Sequence, residues 1–138
     1  MKIQVDLEYL EPGETIYFTV DRIMQLEQLT KKSISEIVNQ SFSMNDLVAC
    51  LLVGTRHYRT KKNGMRQGAF FIGKIQAALG EGSSFDELTE PVVKALVGSG
   101  ILGKKAVYAM FPELVLDEME EEVDEALALK NETPIQED

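Results

Sequence analysis

The hydrophobic period of this chain changes once, near residue 20, and that change limits the folds open to it. Residues 2–9 alternate strictly, with Ile3, Val5, Leu7 and Tyr9 on one side and Lys2, Gln4, Asp6 and Glu8 on the other. Such a period of two is the mark of a half-buried strand. Glu11-Pro12-Gly13-Glu14 follows as a turn, with proline fixing φ at its second position and glycine free to take a positive φ at its third. Ile16, Phe18 and Val20 resume the alternation. A β-hairpin over 2–20 is therefore expected. Beyond it the apolar residues recur every three or four positions, so the remainder is expected to be helical.

The helical part has readable starts and stops. Thr19 or Asp21 can cap a first helix carrying Ile23, Met24, Leu26 and Leu29. Ser33 and Glu36 fit a capping box before Ile34, Ile37 and Val38. Ser43 opens a third helix, with Met44, Leu47, Val48, Leu51, Leu52 and Thr55 at spacings of three and four. A polar, basic break is expected at 56–68, then a helix bearing Phe71, Ile72, Ile75, Ala78 and Leu79 that Gly80-Glu81-Gly82 stops. Ser83 or Ser84 starts a turn with Phe85 and Leu88, and Pro91 is expected to begin a new helix rather than lie inside one. Val92 to Val97 leads to glycines 98, 100 and 103, and a last stretch holds Val107, Tyr108, Met110 and Phe111. After Pro112, Leu116, Met119, Val123 and Leu127 keep helical spacing, and residues 131–138 are expected to be disordered. The fold class expected is mainly α (α+β): a short N-terminal hairpin, about six helices and an acidic C-terminal helix, in one domain over 1–130.

Composition enters through charge. The net charge of −9 is unevenly placed: residues 113–138 hold 11 acids against Lys130 alone. No acid occurs between Asp46 and Glu81, whereas Arg56, Arg59, Lys61, Lys62, Arg66 and Lys74 all lie there. One cysteine and one histidine exclude disulfide and zinc frameworks. No run approaches the roughly 18 apolar residues of a membrane span, and the N-terminus lacks the basic and then apolar character of a signal peptide. The acidic end argues against nucleic-acid binding by the basic middle, because it competes for the same cations and repels phosphate.

Few residues suggest catalysis. Gly98-Ser99-Gly100-Ile101-Leu102-Gly103-Lys104 satisfies a dinucleotide fingerprint and most of a P-loop. Val92 to Val97 could supply the strand that both require before the glycines, but Lys105 stands where a magnesium-binding Ser or Thr belongs, and only 35 residues remain after Gly103 to complete a parallel sheet. The segment reads as a helix–helix junction, with nucleotide binding through Gly98 to Lys104 as the alternative. His57 has no second imidazole, Cys50 suits a buried helix position, and no Ser, His and acid grouping is evident. Neither enzyme activity, a cofactor nor a metal is expected.

The order of elements carries a resemblance. Phe18 to Ser33 leads into Ile34 to Val38, then a Ser-capped start, then Leu47-Val48-Ala49-Cys50-Leu51-Leu52-Val53-Gly54-Thr55-Arg56-His57. Over roughly residues 3–60 this resembles the small tail assembly chaperones of long-tailed bacteriophages and the related tail protein of gene transfer agents. Lys31 departs from that pattern, where glycine is usual, and Thr55 departs where leucine is usual. The resemblance implies a non-enzymatic role in the host bacterial cytoplasm. Such chaperones bind the long helical tape-measure protein, help recruit tail-tube subunits and leave before the virion is complete. A virion-retained adaptor is the alternative within tail proteins. Self-association, and in some cases a longer frameshifted form, are also implied. Client contact is expected through Met44, Leu47, Leu51, Phe70, Phe71, Met110 and Phe111, with electrostatic contact through Arg56, Arg59, Lys61, Lys62 and Arg66.

Overall fold

The computed structural model describes residues 3–39, 42–55 and 64–114. These form a two-stranded antiparallel sheet, β1 (Val5–Asp6) and β2 (Thr15–Ile16), followed by six helices. The helices are α1 (Val20–Thr30), α2 (Ile34–Asn39), α3 (Met44–Gly54), α4 (Gly64–Gly80), α5 (Phe85–Gly98) and α6 (Lys104–Met110). The mainly helical class with an N-terminal hairpin is as the periodicity indicates. The ladder is much shorter than the alternation, pairing only Val5 with Ile16 and Asp6 with Thr15. One further bond, Leu7 N–H to the Glu14 carbonyl at 2.8 Å, extends it. At the turn Gly13 takes φ +83°, and the Glu14 amide reaches the Glu11 carbonyl at 3.1 Å. Beyond the pairing, alternation persists because the helices bury one side of the strands: Leu7, Ile16 and Phe18 all lie in the core.

Local capping explains the helix boundaries. Thr19 caps α1, its hydroxyl accepting from the Arg22 amide at 3.3 Å. Ser43 and Asp46 form a reciprocal capping box on α3, and Ser84 with Glu87 forms another on α5. At α2 the Ser33 hydroxyl accepts from the Glu36 amide at 3.2 Å, but the Glu36 carboxylate accepts a hydrogen bond from the Ser33 hydroxyl rather than from the Ser33 amide. Glu27 reaches across from α1 and accepts from the Ile34 amide at 3.0 Å, so a tertiary contact finishes this cap. α4 ends in a Schellman motif: Gly82, at φ +107°, donates to the Leu79 carbonyl and Ser83 to that of Ala78.

Two sequence expectations are corrected. Pro91 is the seventh residue of one continuous helix, α5, and does not begin a helix. The Ser84 box supplies the start six residues earlier. Proline leaves one carbonyl without its usual helical donor in the turn before it, and in that turn the Tyr9 hydroxyl donates to the Leu88 carbonyl at 2.9 Å. The hairpin thus secures the segment that proline weakens. The polar break also ends sooner than residue 68, because α4 begins at Gly64; Met65, Arg66, Gln67 and Ala69 include strong helix formers that lengthen it upstream.

α3 lies at the centre, packed against α1, α4 and α5, while α5 also carries β1, α2 and α6. Its central place explains why Leu47, Ala49, Cys50, Leu51 and Val53 are all buried on an 11-residue helix. Gly54 closes α3 against the hairpin, where a methyl group would meet Ile16 Cγ1 at 2.6 Å. The glycine junction after α5 uses positive φ at Gly100 (+85°) and Gly103 (+96°). Arg56, Arg59, Lys61, Lys62, His57 and the acidic stretch from Val115 onward lie outside the described residues.

Candidate functional site

The feature with the geometry of a binding site is a groove between α1, α3 and α4, about 490 Å³ in volume. Its apolar wall comes from three helices: Leu29 of α1, Val48, Ala49 and Leu52 of α3, and Ile72 of α4. Leu29 is 55% exposed and Ile72 47%, unusually open for large aliphatic side chains in a body with an intact core. Met44, 41% exposed, starts the α3 stripe that Val48 and Leu52 continue at steps of four residues. A stripe at i, i+4 and i+8 follows one side of a helix for two turns.

The groove exists because α3 is apolar around almost its whole circumference. Leu47 and Leu51 turn into the core, while Val48 and Leu52 lie about 100° further round and are only partly covered. On α4, Phe71, Ile75 and Ala78 form the buried stripe, and Ile72 stands one residue off it. On α1, Ile23 and Leu26 are buried, and Leu29 falls on the flank facing α3 and α4. Val20 and Met24 are also exposed, but they are roughly 140 to 180° away from Leu29 around the helix.

One end of the groove is polar and rigid. Lys32, Ser43, Asn45 and Asp46 line it, and the Lys32 ammonium meets Asp46 Oδ2 at 3.0 Å. Burial of Asp46 raises its pKa, but hydrogen bonds from the Ser43 amide and the Lys32 ammonium outweigh this and hold the carboxyl below its usual value. This one carboxylate therefore joins the link after α1 to the start of α3. Lys31 beside it is exposed and adopts φ +60°, a left-handed conformation that usually falls to glycine. The glycine–lysine departure noted in the sequence thus lies at an αL cap, whose amide donates to the Glu27 carbonyl at 2.9 Å.

The other end of α3 is held by Arg22. Its Nη1 donates to the Gly54 carbonyl at 2.7 Å, its Nη2 to the Tyr17 hydroxyl at 3.1 Å, and its guanidinium stacks 4.0 Å over the Tyr17 ring. A cation there also suits the negative end of the helix dipole. Arg22 and Tyr17 border a smaller polar hollow of about 240 Å³ with Glu11, Pro12, Gly13, Glu14 and Thr15. Their contacts are structural: they join the hairpin to α1 and α3.

The residues expected from sequence to touch a partner separate into three groups. Met44 is exposed beside the groove. Leu47, Leu51 and Phe71 are each 0% exposed, so these side chains belong to the core rather than to a client surface; helical spacing alone does not distinguish the two sides of a doubly apolar helix. Phe70, Met110 and Phe111 are half-buried and none lines the groove: Phe70 packs edge-on to Phe71 at 5.3 Å, and α6 packs on α5. Of the expected cations, Arg56, Arg59, Lys61 and Lys62 lie outside the described residues. Arg66 lies on α4, with its side chain likewise outside them. Val48, Leu52 and Ile72 fall within the helix at 44–58 and the segment Phe70 to Ile75, whose apolar spacing offers a client surface, whereas Leu29 of α1 carries no such signal.

Other chemistry is limited. The segment before the glycines at 98–103 is helix α5, whereas the dinucleotide fingerprint requires a strand. Cys50 is fully buried, and burial, then the Asp46 carboxylate, pushes its thiol well above the usual value. The same kinds of influence, led by burial, raise the Tyr9 hydroxyl. Among the described residues no group of three His, Cys, Asp or Glu side chains could hold a metal ion, and no helix is long and apolar enough to cross a membrane. Comparison with protein-family models, curated proteins and solved structures finds no match for the chain.

Proposed function

We propose that this protein is a non-enzymatic tail assembly chaperone of a bacteriophage or prophage, and that the α1/α3/α4 groove is where it holds its client. The observation carrying this reading is the groove itself. Leu29, Val48, Leu52 and Ile72 form an open apolar trough flanked by the Met44 stripe. An amphipathic helix docks in such a trough by anchors at i, i+3, i+4 and i+7, and unbranched methionine adapts to varied side chains. The client is a long helical polypeptide, the tape-measure protein, whose apolar stripe would otherwise aggregate in the host cytoplasm. The order of elements from Phe18 to His57 supports the same reading through its resemblance to these chaperones. Recruitment of tail-tube subunits and self-association along the client belong to this proposal.

The test is co-expression with a tape-measure protein encoded beside this chain. A soluble complex is expected, and Ile72→Asp should abolish it while the variant itself stays folded. A client that precipitates equally with and without the chaperone would refute the proposal, as would a complex indifferent to Ile72→Asp and Leu52→Asp together.

A further inference from the structure

Two open apolar surfaces lie on opposite sides of α1. On one side Leu29 forms part of the concave groove with Val48, Leu52 and Ile72. On the other, Val20 and Met24 stand one turn apart, 68% and 57% exposed, the two most open large hydrophobic side chains among the described residues. α1 packs on α3 and α2, and neither covers this stripe. A single exposed aliphatic side chain is ordinary, but a convex stripe and a concave trough on one molecule are complementary surfaces. The lengths agree: Val20 and Met24 span about 6 Å of α1, within the roughly 12 Å that Met44, Val48 and Leu52 cover on α3. The contact also strands no charge at its centre. In the groove Lys32 is paired with Asp46. Beside the stripe Gln25 and Gln28 are neutral, Glu27 accepts from the Ile34 amide, and Asp21 is exposed at the rim.

The stripe cannot enter the groove of its own molecule, because both belong to one 11-residue helix and lie roughly 140 to 180° apart around it. We propose that Val20 and Met24 of one copy dock in the groove of a second copy, joining molecules head to tail and closing the groove until a client displaces the neighbour. Surfaces that face opposite ways cannot be satisfied reciprocally by two copies, so the association propagates beyond a dimer. Two side chains in a groove bury less than the roughly 1,200 Å² of a standard interface, which makes the contact transient and readily displaced. Association along a bound client uses other surfaces, since the client then fills the groove. The head-to-tail contact rests on the two surfaces alone; the competition with a client rests on reading the groove as the client site.

Sedimentation equilibrium of the full chain tests the contact, over about 10 µM to 1 mM, the range of such small interfaces. The average mass should rise with concentration past that of a dimer. A variant carrying Val20→Asp with Met24→Asp should stay monomeric, as should Ile72→Asp, or Leu29→Asp should circular dichroism show Ile72→Asp unfolded. An equimolar mixture of a stripe variant and a groove variant should form dimers and nothing larger, because the stripe of one meets the groove of the other. A parent that stays monomeric or stops at dimers would overturn the proposal, and so would a mixture that stays monomeric. An amphipathic helical peptide with leucines at i, i+3, i+4 and i+7 should convert the parent's chains to monomers. Chains that persist with the peptide bound would overturn the competition and the client reading together, whereas the mixing experiment contains no client and judges the contact separately.

Discussion

Replacing Gly54 by alanine perturbs the contact on which α3 and the hairpin both depend. By helix propensity alone the change should stabilise an interior helical position by about 1 kcal/mol, and less at a helix end. The packing dictates the reverse. The added methyl would lie 2.6 Å from Ile16 Cγ1, 2.8 Å from Ile16 Cδ1 and 2.8 Å from Phe18 Cζ, where Ile16 is 0% and Phe18 2% exposed. Ordinary carbon contacts are about 3.5 to 4.0 Å, so α3 or the hairpin must move by about 1 Å. Overpacking of this kind costs about 1 to 3 kcal/mol. The same movement lengthens the bonds that the Gly54 carbonyl accepts from Arg22 at 2.7 Å and from the Tyr17 amide at 3.0 Å. Each is worth about 1 kcal/mol, so the net loss is about 2 to 3 kcal/mol. For a domain of this size the melting midpoint should fall by roughly 10 °C. Urea denaturation of Gly54→Ala, Ile16→Ala and the double variant checks the cause. Ile16→Ala removes the atoms the new methyl meets, so the double variant should be at least about 1 kcal/mol more stable than additivity predicts. A Gly54→Ala protein as stable as the parent, or strict additivity, would refute the close-approach argument.

Lys31→Gly should raise stability by about 0.5 to 1 kcal/mol, seen as a higher urea midpoint, because φ +60° strains a side-chain-bearing residue more than glycine loses in chain entropy. Asp46→Asn should cost about 1 to 2 kcal/mol by weakening the capping box and the Lys32 pair. The folded pKa of Asp46 lies below its unfolded value, so its stabilisation is present above about pH 4 and disappears as pH falls through the folded pKa. An acid titration of stability should accordingly be flatter in Asp46→Asn than in the parent. Cys50 should resist a thiol reagent at pH 8 in the native protein and react fully in urea; rapid native labelling would contradict its burial.

What was legible in the sequence was legible because its physics is local. Ser43, and Ser84 as one of two candidates, are readable as helix starts, and each closes its capping box within three residues, with Asp46 and Glu87, so neither needs the rest of the chain. Gly13 and Gly82 take the positive φ that their turns require. The reading failed where a distant partner decides. Pro91 lies inside α5, with the Tyr9 hydroxyl, 79 residues away, bonded to the preceding turn. The α2 cap is completed by Glu27. The strong 2–20 alternation reports burial on one side, while backbone pairing stops after two residue pairs because the helices take over.

The candidate site shows the same division. Sequence by itself determined that α3 is apolar on two sides, through 47 and 51 on one and 44, 48 and 52 on the other, and that acids cluster after residue 113. Only the tertiary structure decided which side meets the core. Leu47 and Leu51 are fully buried, whereas Val48 and Leu52 line the trough that α3 forms with α1 and α4. Periodicity encodes a direction around one helix axis. Whether that direction ends in core or in solvent depends on where other helices lie, and those positions follow from contacts tens of residues apart.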